Sequence, residues 1–237
     1  MSPQARLENR AASRRFRSAV TGRANRTNKP CPFLSPAGRL IYLLRHGQTE
    51  FNREGRLQGR LDSPLTELGL EQARRMGGVV RRMVDDPRRW TLVSSPLGRA
   101  RRTAELVLEA SGLPGPIAFD ERLSEIDVGA WEGLDRGQIE AVAPGVIGTP
   151  GWLLTAPGGE TYAMAAARLG AWLAEVDEAD GRRRLVVCHG VAGRILRGLY
   201  TGLGLDEVWS APSPPQDAVF RLHGGAALRI DDGADRD

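Results

Sequence analysis

Leu40-Ile41-Tyr42-Leu43-Leu44-Arg45-His46-Gly47 is the stretch that decides the fold. Five apolar residues in succession mark a strand buried on both faces, as in a parallel sheet covered by helices. The run stops at an arginine and a histidine. Gly47 then lets the backbone turn sharply and come close to a ligand. Leu185-Val186-Val187-Cys188-His189-Gly190 has the same form. Two buried strands that each end at His-Gly are harder to dismiss as ordinary turns than one.

Glu67 to Asp85 carries Leu70, Ala73, Met76, Gly77, Val80 and Val84 at helical spacing, with Thr66 as N-cap. Trp90 to Ser94 reads as a strand. Leu97 to Ala110 reads as a helix, stopped by Gly112 and Pro114, and Ile117 to Phe119 as a short strand. A long helix is expected from Gly159 to Ala179 and another from Val191 to Leu203. Ala218 to Leu222 and Ala227 to Ile230 read as closing strands. This alternation predicts an α/β domain over residues 38–232 with a mostly parallel central sheet, in three α/β/α layers. Ligands of such sheets lie outside the carboxyl ends of the strands. Arg45, His46 and His189 fall there, and Ser94-Ser95 leads from a third strand end toward Arg99.

The chain has 237 residues, 41% hydrophobic and 26% charged, which is ordinary globular usage. Residues 1–37 differ: seven arginines and Lys29 face one acid, Glu8, for a net +7. The whole chain carries +4, which leaves −3 for the remainder. The basic balance therefore belongs to an extension that is expected to be disordered. A nucleic-acid tether, a targeting sequence and an inert extension all fit its composition. The mildly acidic domain has no nucleic-acid footprint. Residues 233–237 read as a tail. No apolar run reaches the roughly 18 residues of a membrane helix. Two distant cysteines, Cys31 and Cys188, suggest a reducing compartment, hence a cytoplasmic location. The sequence leaves monomer and homodimer both open.

Arg45 ends a buried strand and Arg99 lies near a helix start, so both suit phosphate, which a guanidinium fork binds bidentately. Arg81, Arg82, Arg88, Arg89 and Arg182 to Arg184 read as solvated. Cys188 reads as a buried, inert thiol. With His46 and His189 committed, little is left to build a metal site.

These segments resemble, in order, the motifs of the histidine phosphatase superfamily, also called phosphoglycerate-mutase-like. Arg45-His46-Gly47-Gln48-Thr49 with Asn52 is similar to its R-H-G-x-T-x-x-N signature. Leu57-Gln58-Gly59, Ser94 to Arg99 with Thr103, Leu123 to Gly133, Gly158-Gly159-Glu160 and Val187 to Gly190 follow. The resemblance implies a phosphoglycerate-mutase-like fold and a phosphohistidine at His46, with no cofactor. By the same resemblance, Arg45, Asn52, Arg99 and His189 hold the phosphoryl oxygens, Glu125 protonates the leaving oxygen, and Gln58 and Gly59 line the mouth. Asp127 is the rival acid. Trp131 reads as a packing anchor, while Glu132 and Glu160 read as partners of arginines. Nearby arginines are expected to lower the His46 pKa.

The resemblance points to a phosphatase that hydrolyses a small phosphomonoester, because Ile126 to Gly159 is short for the cap of a mutase. A phosphoglycerate mutase and a non-catalytic phosphate-binding regulator are the alternatives.

Overall fold

The computed structural model describes residues 40–176, 182–210 and 214–230. The extension 1–37 and the tail 233–237 lie outside the described residues. Six strands form one sheet: β1 (Ile41–Arg45), β2 (Trp90–Ser94), β3 (Ala118–Phe119), β4 (Arg183–Cys188), β5 (Val219–His223) and β6 (Ala226–Ile230). Their order is β3-β2-β4-β1-β5-β6. The first four run parallel, and β5 and β6 are antiparallel. The expected mostly parallel sheet is present. β5 and β6 turn through Gly224 and Gly225, both at positive φ. A two-residue hairpin loop with that backbone matches the twist of the flanking strands, and glycine adopts it without strain.

Seven α-helices occur among the described residues: α1 (Glu50–Glu54), α2 (Glu67–Met83), α3 (Gly98–Ser111), α4 (Arg136–Val142), α5 (Tyr162–Glu175), α6 (Gly190–Thr201) and α7 (Leu205–Ser210). Successive side chains on a strand point to opposite faces, so β1 feeds two cores. Tyr42 and Leu44 pack with Met76 and Val80 of α2 and Ala104 and Val107 of α3. Ile41 and Leu43 pack with Leu169 and Leu173 of α5 and Ile195 and Leu196 of α6. The result is three layers. Truncating a side chain as buried as Leu44 to alanine costs about 2–5 kcal/mol.

The helix ends follow their caps. Thr66 Oγ1 accepts from the Gly69 amide at 3.1 Å and starts α2. α3 ends at Gly112, in the left-handed region with φ of 69°. α2 and α3 cross closely because Gly77 has no side chain: a Cβ there would lie 2.6 Å from Ala110 Cβ. The helix expected from Gly159 starts later, at Tyr162, with Thr161 as N-cap. Gly158 to Glu160 instead form a turn in which the Glu160 amide donates to the Asp127 carbonyl at 2.8 Å. Part of the expected end of that helix lies outside the described residues. α1, α4 and α7 are too short for their periodicity to show in the sequence. Among the described residues, no helix is long and apolar enough to cross a membrane.

Candidate active site

β1 and β4 are neighbours in register, with Arg45 opposite Cys188. The ladder extends one step beyond the strands, because the His46 amide donates to the Cys188 carbonyl at 3.0 Å. His46 and His189 therefore leave the sheet side by side, their ring centroids 5.2 Å apart. Both are buried.

His46 is held from behind. Its Nδ1 lies 2.8 Å from the Gly47 carbonyl, which can only accept, so Nδ1 carries the proton. That leaves a lone pair on Nε2, toward which Arg99 Nε points at 3.4 Å. Burial pushes the His46 pKa well below its ordinary value, and Arg99 and Arg45 push it further. The direction matches the sequence-based expectation, but desolvation outweighs the arginines. The loop beneath His46 packs backbone to backbone on α2. A Cβ on Gly47 would lie 2.3 Å from the Gly69 carbonyl oxygen.

Arg99 is fixed at almost every donor. Nη1 donates to the Leu61 carbonyl at 2.8 Å and to Asp62 Oδ1 at 3.1 Å. Nη2 donates to the Gly59 carbonyl at 2.9 Å. Asp62 Oδ1 also accepts from the Arg99 amide at 3.2 Å. The Arg99 side chain is 1% exposed and Asp62 39%. Gly98 makes room for this pairing, since a Cβ there would lie 2.1 Å from Asp62 Oδ2. Sequence reasoning gave Asp62 no role. Its closeness to Arg99 arises from the fold, across α2 and β2.

His189 Nε2 lies 2.8 Å from Ser95 Oγ. Burial sets its pKa well below the ordinary value, and Arg99, His46 and Arg45 add to the shift. Arg45 Nη1 donates to the Pro214 carbonyl at 2.9 Å, while its buried Nε has no partner among the described residues. Asn52 is the third helical residue of α1 and closes a capping box with Thr49.

Glu125 sits on the first turn of α6. Its Oε1 accepts from the Ala192 amide at 2.9 Å and its Oε2 from the Val191 amide at 3.2 Å. A helix N-terminus favours a negative group there. Asp127 faces elsewhere: its Oδ1 accepts from the Gly129 amide at 2.7 Å.

A cleft of about 180 Å³ gathers Arg45, His46, Asn52, Gln58, Gly59, Arg99 and Glu125 in its lining. Asp127 is not among the lining residues. His189 lies behind, against the His46 ring. Leu57, Ile126, Val128, Leu153 and Val191 complete the walls, with Arg56 and Gly190.

The supporting residues divide differently from expectation. Glu160 pairs with Arg168, whose Nε and Nη2 lie 2.6 and 2.8 Å from its two oxygens. Arg168 also donates to the Ser124 carbonyl at 2.8 Å, which ties the Glu125 loop to α5. Glu132 instead accepts from a backbone amide, that of Arg60 at 2.5 Å. Trp131 is buried, its ring 5.7 Å from that of Trp152. Cys188 is also buried, which pushes its thiol up to about 12. Among the described residues, no group of His, Cys, Asp and Glu is large enough to hold a metal ion.

The profile of the histidine phosphatase superfamily (branch 1) matches residues 41–224. Probable phosphoglycerate mutase GpmB of Salmonella paratyphi C is 38% identical over 198 residues, spanning 81% of this chain and 84% of that one. A mycobacterial glucosyl-3-phosphoglycerate phosphatase, solved with VO3, aligns at a TM-score of 0.66 and 31% identity over 81% of this chain and 97% of that one. Bacillus stearothermophilus YhfR aligns at 0.68 and 35% identity, over 81% and 95%. A protein with these ordered motifs, this sheet and these matches belongs to branch 1 of the histidine phosphatase superfamily.

Proposed function

We propose that this protein is a phosphatase that hydrolyses a small phosphomonoester through a phosphohistidine at His46. The observation that carries the reading is the state of His46: its Nδ1–H is tied to the Gly47 carbonyl, leaving the Nε2 lone pair beside Arg99. A histidine nucleophile must be neutral, and burial holds this one so. Phosphoryl transfer asks a protein mainly for positioning and charge stabilisation. Arg45, Arg99 and Asn52 supply both by holding the phosphoryl oxygens, with Gln58 and Gly59 at the mouth and His189 backing the His46 ring.

In the first step His46 Nε2 attacks phosphorus, the bond to the ester oxygen breaks, and Glu125 gives that oxygen a proton. In the second step Glu125 takes a proton from water, and the water oxygen attacks phosphorus. The P–N bond breaks, returning the lone pair to Nε2 and releasing inorganic phosphate.

That a mycobacterial relative named as a phosphatase was solved with VO3 supports the reading. Hydrolysis is favoured over isomerisation by the walls, where Leu57, Ile126, Val128, Leu153 and Val191 face the ester group. A phosphoglycerate also carries a carboxylate, and beyond Arg45 and Arg99 the lining offers one cation, Arg56. That guanidinium lies 4.1 Å over the Phe51 ring, and its Nε donates to the Gly133 carbonyl at 2.7 Å, which turns one edge of it away from the cleft. The mutase reading rests on the naming of the Salmonella relative.

The test uses p-nitrophenyl phosphate in one assay and 3-phosphoglycerate with a bisphosphate primer in another. Turnover of the first, lost in His46→Ala, with no isomerisation of the second, is the expected result. Isomerisation faster than hydrolysis would make the protein a mutase. Bound phosphate without either activity would make it a regulator.

A further inference from the structure

The residues just before β5 make two contacts with the cleft that the mechanism above does not use. Gln216 Nε2 donates to Asn52 Oδ1 at 2.6 Å, and the Pro214 carbonyl accepts from Arg45 Nη1 at 2.9 Å. Two proposed phosphoryl ligands are thus held from one short segment, far along the chain from either.

Asn52 Oδ1 has a second donor, the Thr49 amide at 3.2 Å. A backbone N–H can only donate, so the Asn52 atom facing it is the oxygen, and Gln216 must then present its nitrogen. With Oδ1 committed twice, the Nδ2 end is left for the cleft that Asn52 lines. The orientation matters because a phosphoryl oxygen needs a donor. Turned over, the amide would set its own oxygen against an anionic one. Thr49 cannot hold the amide against the sheet, because it caps the same five-residue helix that carries Asn52. Gln216 can, since it leads into β5, which pairs with β1.

We propose that Gln216 is a positioning residue for phosphoryl transfer, fixing the Asn52 amide with its nitrogen end toward the phosphoryl group. This rests on the reading of the cleft as a phosphoryl-transfer site. Gln216 itself touches no reacting atom.

Gln216→Met keeps the length of the side chain and removes the donor, and Gln216→Ala is a second variant in case the first misfolds. Each is measured for turnover of p-nitrophenyl phosphate and for affinity toward orthovanadate, alone and combined with Asn52→Ala. The expected result is about a tenfold loss of vanadate affinity and of kcat/KM in the single variant, the size of one lost hydrogen bond. No further loss is expected in the Asn52→Ala background, because contacts that act through one another are not additive. A purely structural role predicts equal losses in both backgrounds, and that result overturns the proposal. Wild-type vanadate affinity in folded Gln216→Met overturns it too. The phosphatase reading fails separately: a wild-type protein that binds vanadate and shows the non-additive pattern, yet hydrolyses no ester, removes that reading and leaves Gln216 in place.

Discussion

Arg99 Nε points at His46 Nε2 across 3.4 Å, so the proposed nucleophile and the most firmly held cation of the cleft already face each other without substrate. An imidazolium at His46 would turn that contact into a repulsion. Its neutrality and the placement of Arg99 are therefore one property.

Arg99→Ala is expected to lower kcat by about 10²- to 10³-fold, the cost of losing one donor aimed at developing charge. Arg99→Lys should recover little, because an ammonium cannot reproduce the fork that meets Gly59, Leu61 and Asp62. Steady-state kinetics of both variants check this. Recovery of half the wild-type rate by lysine would mean that charge alone matters.

Glu125→Gln separates the acid role from a packing role. The loss should be about 10²- to 10⁴-fold with alkyl phosphates, whose leaving oxygens need a proton. It should be small with p-nitrophenyl phosphate in the first step. Equal losses across a leaving-group series would take Glu125 out of the acid role. Asp127→Asn should leave that series unchanged, because Asp127 is turned to the Gly129 amide.

His46 and His189 both have pKa values pushed well down, chiefly by burial. The unfolded chain titrates near the reference value of about 6.5. Below that pH the unfolded state binds protons that the folded state refuses, so stability falls with pH from about 6.5 downward and is unaffected by these groups above it. Urea unfolding at a series of pH values reads the slope. NMR titration of His46 in the free protein gives the direct check: an imidazole that protonates at or above 6.5 contradicts the arrangement.

Two glycine substitutions should fail in different ways. Gly47→Ala drives a methyl into the Gly69 backbone, which cannot swing aside. It should cost about 1–3 kcal/mol of stability or more, visible as a lower melting temperature. Gly98→Ala meets the Asp62 carboxylate, a partly exposed side chain that can move. It should keep its melting temperature and lose activity as Arg99 loosens. Loss of stability in both variants would show that Asp62 is not free to yield.

The sequence made the strand ends legible, and with them Arg45, His46 and His189, because a parallel strand buried on both faces is a plain apolar run. Arg99 was legible from its place at a helix start. The hidden residues are those whose meaning depends on pairing across the fold. Asp62 meets Arg99 only because a loop passes over α3. Gln216 meets Asn52 from the far end of the chain. Ser95 stood in a recognised motif, but only the fold sets it against His189. The arginines do lower the His46 pKa as expected, and the larger cause was hidden for a related reason. Arginines can be counted in a sequence, whereas the depth of burial, the larger effect here, needs the fold. α1 was missed because five residues make too little helix to show a period.

The register of β1 and β4 has a consequence for how the protein fails. Hydrogen-bonded strands lie about 4.8 Å apart, and the two histidines stand at one level on adjacent strands, their rings 5.2 Å apart. The sheet's own ladder thus sets the backbone gap, and the Gly47 carbonyl and Ser95 Oγ fix each ring upon it. Core substitutions that thin the margin of stability should leave the surviving molecules correctly spaced. Heat should then inactivate in step with melting of the central sheet, with no cooler range in which the protein is folded but misaligned.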